Sequence, residues 1–120
     1  MKLERMNRLK IANLPTSLHV LKRLSKKLAG PRLYIKRDDE TGVAFGGNKV
    51  RKLEYIMADA MEQNAEVVIT SGGAQSNHGR LTMATAVKCG LKPVLVITDE
   101  EPDVYNGSFA LDYLLGAEFH

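Results

Sequence analysis

"EVVITSGGAQSNHGRLTMATAVKCGLKPVLVIT" runs from Glu66 to Thr98 and decides the fold. It opens on a β-branched run that reads as a buried strand over 66–71. Gly72 and Gly73 then turn the chain. Ser76 has the side chain of an N-cap, and a helix is expected from there to about Lys88, with Gly90 in the left-handed C′ position that glycine favours. "KPVLVIT" supplies a second buried strand over 92–98. Strand, helix and strand joined by connections this short require parallel strands with a helical crossover.

The pattern continues downstream. "TDEEPDVYNG" reads as an acidic loop, "SFALDYLLG" as a helix and "AEFH" as the start of a further strand. The second half is therefore β-α-β-α-β. Upstream, "AFGGNKVRKLEYIMADAM" (Ala44–Met61) places Leu53, Ile56, Met57, Ala60 and Met61 at helical spacing from Lys49 onward. "RLYIKRD" reads as a short strand over 32–37, and "DDETGVAFGG" as a loop. "SLHVLKRLSKKLAGP" sets Leu18, Leu21, Leu24 and Leu28 at helical spacing up to the Gly30-Pro31 stop. Two or three parallel strands with few helices cover a sheet poorly. The chain thus reads as part of a longer protein, and its strand edges are expected to promote association.

Composition narrows the function classes. The chain has 120 residues, 44% hydrophobic and 26% charged, with a net charge of +3. That is ordinary globular composition. The lone Cys89 excludes an intrachain disulfide or a CxxC site, and it reads as a small buried hydrophobe. No run approaches the roughly 18 apolar residues of a membrane span. The first fifteen residues lack a signal-peptide core, so the cytoplasm is the expected location. Basic residues form no block interleaved with aromatics, which argues against nucleic acid and leaves small anionic ligands. His19, His78 and His120 have no metal-ligand spacing. Asp38 and Asp39 are a carboxylate pair better explained by solvent or by Arg37.

Two stretches carry chemistry. The first puts Lys49, Arg51 and Lys52 into the opening turn of a helix, where cations are disfavoured by the dipole. Three solvated surface cations would explain it. So would an anionic ligand held between these side chains and the helix N–H groups, with Lys49 placed to act as a Schiff-base or general-base lysine. The second, "ITSGGAQSNHGR" (69–80), ends a strand and starts a helix with hydroxyl and amide groups, at the carboxyl end of the strand, where ligands of open α/β folds bind. A plain capped turn and a carboxylate site account for it equally. Neither GxGxxG nor GxxxxGK[ST] is present, so nucleotide binding has no support.

Together, "YIKRDDETGVAFGGNKVRKLEY" (34–55) and "ITSGGAQSNHGRLTMATAVKCGL" (69–91) strongly resemble the D-cysteine desulfhydrase and 1-aminocyclopropane-1-carboxylate deaminase family. These are pyridoxal 5'-phosphate (PLP) enzymes of the tryptophan synthase β fold type, fold type II. "LPTSLHVLKRLSKKLAGP" and "GSFALDYLLGAE" are similar to the flanking segments of that family. Ser17, Glu40 and Gly79 depart from its usual residues without removing the chemistry.

The resemblance implies a truncated α/β fold of parallel βαβ units. Residues 1–52 would be the N-terminal part of the larger domain and 53–120 most of the smaller one. It implies that Lys49 holds PLP covalently, that Asn48 and Lys52 also face the cofactor with Lys52 near the phosphate, and that Asn77 bonds the phenolic oxygen. It implies that Ser76 contacts the substrate carboxylate or acts as nucleophile, with Asn77 and His78 beside the substrate. Family members are more than twice as long, and their later half supplies the phosphate loop and the partner of the pyridine nitrogen. The expected activity is conversion of a small amino acid, of the D-cysteine or aminocyclopropane carboxylate type, to a 2-oxo acid and ammonia. The full-length enzyme would be a homodimer, and this chain alone would be inactive. A cysteate lyase-like β-elimination enzyme and a non-catalytic remnant are the alternatives.

Overall fold

A computed structural model describes residues 5–100 and 102–120. Glu101, within the expected acidic loop, and the first four residues of the entry segment lie outside the described residues. Two sheets are present. Strand β1 (Leu18–Val20) pairs antiparallel with β2 (Tyr34–Lys36), and helix α1 (Lys22–Leu28) connects them. Then come a 3-10 turn (Asp38–Thr41), α2 (Val50–Glu62), β3 (Val67–Gly72), α3 (Asn77–Lys88), β4 (Lys92–Ile97), α4 (Gly107–Leu114) and β5 (Glu118–Phe119). The second sheet has the order β3-β4-β5 and is parallel throughout, with Val67 opposite Lys92 and Val94 opposite Glu118. The expected β-α-β-α-β half is therefore observed. Its punctuation is local: the Ser76 hydroxyl accepts from the Gly79 N–H at 3.2 Å, and Gly90 has φ +75°.

Helix α3 is the centre of the molecule. Gly79 through Ala86 are all buried, because the sheet, α2 and α4 surround the helix. Small residues such as Ala84, Thr85 and Ala86 allow that close approach. Leu81, Ala84 and Ala86 join Val50, Leu53 and Met57 of α2, with Ile11, Val43 and Leu91, in one apolar cluster. A second group forms at α4, where Phe109 stacks on Tyr105 at 4.9 Å and meets Phe119 of β5 at 4.8 Å.

Five expectations are corrected. The helix expected over 18–28 begins only at Lys22, because Leu18–Val20 form ladder bonds to β2 instead. The leucine stripe of that segment faces solvent, with Leu28 61% exposed. The loop over 38–47 contains a 3-10 turn, closed by the Thr41 hydroxyl donating to the Asp38 carbonyl at 2.9 Å. Strand β3 is not buried: Ile69 is 67% exposed, since the strand lies at the sheet edge and its odd-numbered residues point away from α3. On α2 the buried face is Val50, Leu53, Glu54, Met57 and Ala58, while Ile56 and Met61 are exposed. Cys89 is only half-buried, and burial still pushes its thiol up.

Candidate functional site

The site is built where two turns meet. The first is the glycine loop that delivers the chain into α2. Gly46 and Gly47 have φ +75° and +139°. A Cβ at Gly46 would run into the Asp39 carbonyl, and one at Gly47 would touch Leu81 of α3 at 3.0 Å. The loop is thus pressed between its own 3-10 turn and α3, a fit that only glycine permits at φ values this positive. The Gly47 N–H donates to the Asp38 carbonyl at 2.8 Å and to the Thr41 hydroxyl at 3.0 Å. This leaves Lys49 half-buried at the N-cap of α2, with Asn48 and Lys52 exposed beside it.

The three first-turn cations do not share one fate. Arg51 is neutralised by the chain itself: its guanidinium donates to Asp38 Oδ1 at 2.6 Å, to Asp38 Oδ2 at 3.0 Å and to the Thr16 hydroxyl at 3.0 Å. The same contacts hold the Asp38 carboxyl below the ordinary range, with the Arg51 hydrogen bond the largest cause. Asp39 pairs with Arg37 at 2.6 Å. Among the described residues, Lys49 and Lys52 enter none of the ion pairs.

The second turn leads from β3 into α3. The Ala74 N–H donates to Asp99 Oδ1 at 3.0 Å, and the Gln75 amide bridges to Asn106 and the Ser108 N–H at the start of α4. Ser76 caps α3 and is half-buried, Asn77 is exposed, and His78 is half-buried. His78 is fixed from both sides. The Thr82 hydroxyl already donates to the His78 carbonyl at 2.7 Å, so it accepts from Nδ1 at 3.3 Å. Nε2 then accepts from the Thr70 hydroxyl at 3.2 Å. Burial lowers the His78 pKa, and the positive charges of Lys52 and Lys49 lower it further. His78 is therefore a neutral, oriented imidazole at pH 7. The glycine loop and the serine-asparagine turn are joined through Arg80, whose Nη2 donates to Asn77 Oδ1 at 2.8 Å and reaches the Gly46 carbonyl at 3.4 Å.

A primary amine, a second ammonium, exposed amides and a hydroxyl lie on these two turns. An aldehyde bearing a phosphate and a phenolic oxygen needs this donor set: an amine for the aldehyde, cations for the phosphate and an amide N–H for the phenolate. The residues present fit such a group. His19 lies on the remote hairpin, and His120 contacts Glu118 at 2.8 Å. No cluster able to hold a metal ion exists among the described residues. No described helix is long and apolar enough to cross a membrane.

Two features of this region were missed in the sequence: the burial of Arg80, which is 7% exposed, and of Asp112, which is 1% exposed. Arg80 donates to Asn77 Oδ1 at 2.8 Å, and their i, i+3 spacing is the one signal that could have revealed the contact. Ser76→Ala should cost about 1 kcal/mol through loss of the cap. Urea unfolding of the variant beside the parent chain measures it.

Comparisons with known proteins place the chain among its relatives. The profile of the family described as "Pyridoxal-phosphate dependent enzyme" matches residues 9–120. A Thermotoga maritima protein named as a candidate 1-aminocyclopropane-1-carboxylate deaminase is 50% identical over 104 residues, which is 87% of this chain and 33% of that one. A D-cysteine desulfhydrase of Salmonella paratyphi C is 50% identical over 95 residues, 79% of this chain and 29% of that one. A crystal structure of an ACC deaminase homologue superposes with a TM-score of 0.90 at 38% identity, covering 98% of this chain and 35% of that chain. The chain thus spans about a third of the length of the relatives it matches.

Proposed function

The chain belongs to the pyridoxal-phosphate dependent enzyme family, and from that premise we propose that it supplies the lysine-bearing part of an enzyme that converts a small amino acid to a 2-oxo acid and ammonia. D-Cysteine and 1-aminocyclopropane-1-carboxylate are the substrate types proposed, by likeness to the named relatives. The observation that carries the proposal is the joining of the lysine-bearing loop to the Ser76–His78 turn, where Arg80 Nη2 donates to Asn77 Oδ1 at 2.8 Å and reaches the Gly46 carbonyl at 3.4 Å.

In this reading Lys49 holds the cofactor covalently, with Asn48 alongside. Lys52, one turn on, meets the phosphate, and the Asn77 amide donates to the phenolic oxygen. Bound PLP supplies an electron sink for charge that develops on the substrate carbon. The chain's own residues do the rest. Lys49 Nζ, held at the helix start by the glycine loop, moves the proton at that carbon. The Ser76 hydroxyl and the first N–H groups of α3 receive the substrate carboxylate, as helix N-termini receive anions. His78, neutral and locked between two threonines, forms the wall beside them. Residues 1–52 are assigned to the larger domain and 53–120 to the smaller, and the whole enzyme is proposed to be a cytoplasmic homodimer. The 120 residues alone are expected to turn over little or no substrate, because they span about a third of the related enzymes' length.

The test is PLP uptake by the purified chain. The cofactor is titrated in, the absorbance of the bound form is recorded, borohydride fixes it, and the modified peptide is mapped. A saturable adduct confined to Lys49 is the expected result. A saturable adduct on any other lysine, or none on a chain that unfolds cooperatively, would overturn the proposal. Assay of the two substrates beside cysteate, in the complete protein, then separates deaminase or desulfhydrase activity from cysteate elimination.

A further inference from the structure

Arg80 is buried where an apolar residue would pack α3 against α4 at lower cost. Arginine is rarely this buried unless it is paired, and an unpaired buried guanidinium is expensive. Here the partners are unusual. Nη2 donates to Asn77 Oδ1 at 2.8 Å and reaches the Gly46 carbonyl at 3.4 Å. Nη1 is buried without a hydrogen-bond partner. Asp112 on α4 has two carboxylate oxygens that are also buried without partners. Burial raises the Asp112 pKa to about 6, and the charge of Arg80 pulls it down.

One guanidinium nitrogen therefore spans both halves of the site. Gly46 lies three residues before Lys49, in the loop that delivers it, and Asn77 lies in the opposite turn. A guanidinium has donors only. It must therefore engage the oxygen of the Asn77 amide, and this turns the two N–H donors of Nδ2 outward. Asn77 is exposed, so those donors are available to a ligand.

We propose that Arg80 is a positioning residue of the cofactor site: it fixes the Asn77 amide with its N–H groups outward and ties that turn to the lysine-bearing loop through the Gly46 carbonyl. This rests on the reading of Asn77 as the donor to the phenolic oxygen of PLP. A merely structural Arg80 would leave the Asn77 amide and the cofactor's spectrum unchanged once the protein is folded.

The experiment uses Arg80→Lys, which keeps a cation beside Asp112 but cannot bridge both acceptors with one planar fork. Nuclear magnetic resonance of the cofactor-free chain reads the Asn77 side-chain amide. The parent chain should show contacts between the Arg80 guanidinium protons and that amide, with N–H2 exchange slowed at least tenfold relative to Asn77 in R80K. Absence of those contacts in the parent chain overturns the proposal without recourse to any variant. In PLP titrations R80K and Asn77→Ala should each raise the half-saturating concentration about tenfold. They should also shift the pH midpoint of the bound cofactor's absorbance in the same direction. The double variant should be no worse than either, as for residues acting as one unit. Additive effects, or an unchanged pH midpoint in R80K, would overturn the proposal. If the parent chain takes up no PLP on Lys49, the functional reading fails on its own, and the amide spectra still decide whether Arg80 holds Asn77.

Discussion

Lys49→Ala should abolish covalent PLP incorporation while leaving the fold intact. The expected result is complete: no saturable absorbance from a lysine-bound cofactor and no borohydride-fixed adduct on any single peptide. Lys52→Ala, one turn away, should keep the adduct on Lys49 and weaken retention by about ten- to a hundredfold, the worth of one charge-assisted contact of about 1.5–3 kcal/mol. The contrast tests position rather than charge, since both variants lose one cation from the same turn. Fold loss is not a competing explanation. The Lys49 side chain makes no capping bond to α2, and among the described residues it enters no ion pair. Its removal should change unfolding free energy by no more than about 0.5 kcal/mol, the ordinary range for a substitution free of such contacts. Equal adduct yield in the parent and Lys49→Ala chains would move the cofactor to another lysine and undo the assignment.

What the sequence disclosed follows from where the physics was local. Gly72-Gly73, Ser76 and Gly90 punctuate β3, α3 and β4 through backbone conformation and a single capping bond, so the parallel unit was legible from its own residues. So were the two polar helix starts themselves, because both lie next to glycine turns. The strand at Leu18–Val20 was not legible, since its ladder depends on Tyr34–Lys36, fourteen or more residues on, and the leucine spacing favours a helix when read alone. The exposure of β3 depends on its place at the sheet edge, which no local pattern encodes. Arg80 and Asp112 come from different helices, and the burial of Arg80 depends on the Gly46 carbonyl from a distant loop as well as on nearby Asn77. The same limit hid Glu54, which sits within an apolar helix face and looks like a solvated residue in sequence.

Glu54→Ala should therefore be among the most damaging substitutions in the chain, costing about 2–4 kcal/mol of unfolding free energy, the scale of leaving two N–H donors at a buried carboxylate without their acceptor. Glu54 is 1% exposed. One carboxylate oxygen accepts the N–H groups of Ile11 and Ala12, each at 2.9 Å, and the other meets Arg8 at 2.5–2.6 Å. These bonds fasten the entry segment, including core residue Ile11, to α2. Truncation leaves two N–H donors and a guanidinium without their acceptor. The pH dependence follows from the sign of the shift. Burial alone would raise the Glu54 pKa, but the Ala12 and Ile11 N–H groups and Arg8 outweigh it and hold the pKa below the ordinary carboxylate value. A carboxyl depressed on folding contributes stability that is fully present above its unfolded pKa, near 4.3, and is lost as pH falls through the lower folded value. Glu54→Gln can keep one oxygen toward the two N–H groups but turns an N–H2 toward Arg8. It should be less damaging than Ala at pH 7, and its deficit against the parent chain should shrink between pH 5 and 3. Urea unfolding at pH 7, 5 and 3 measures this, and a deficit that stays constant across that range would mean that the Glu54 charge contributes nothing to the fold.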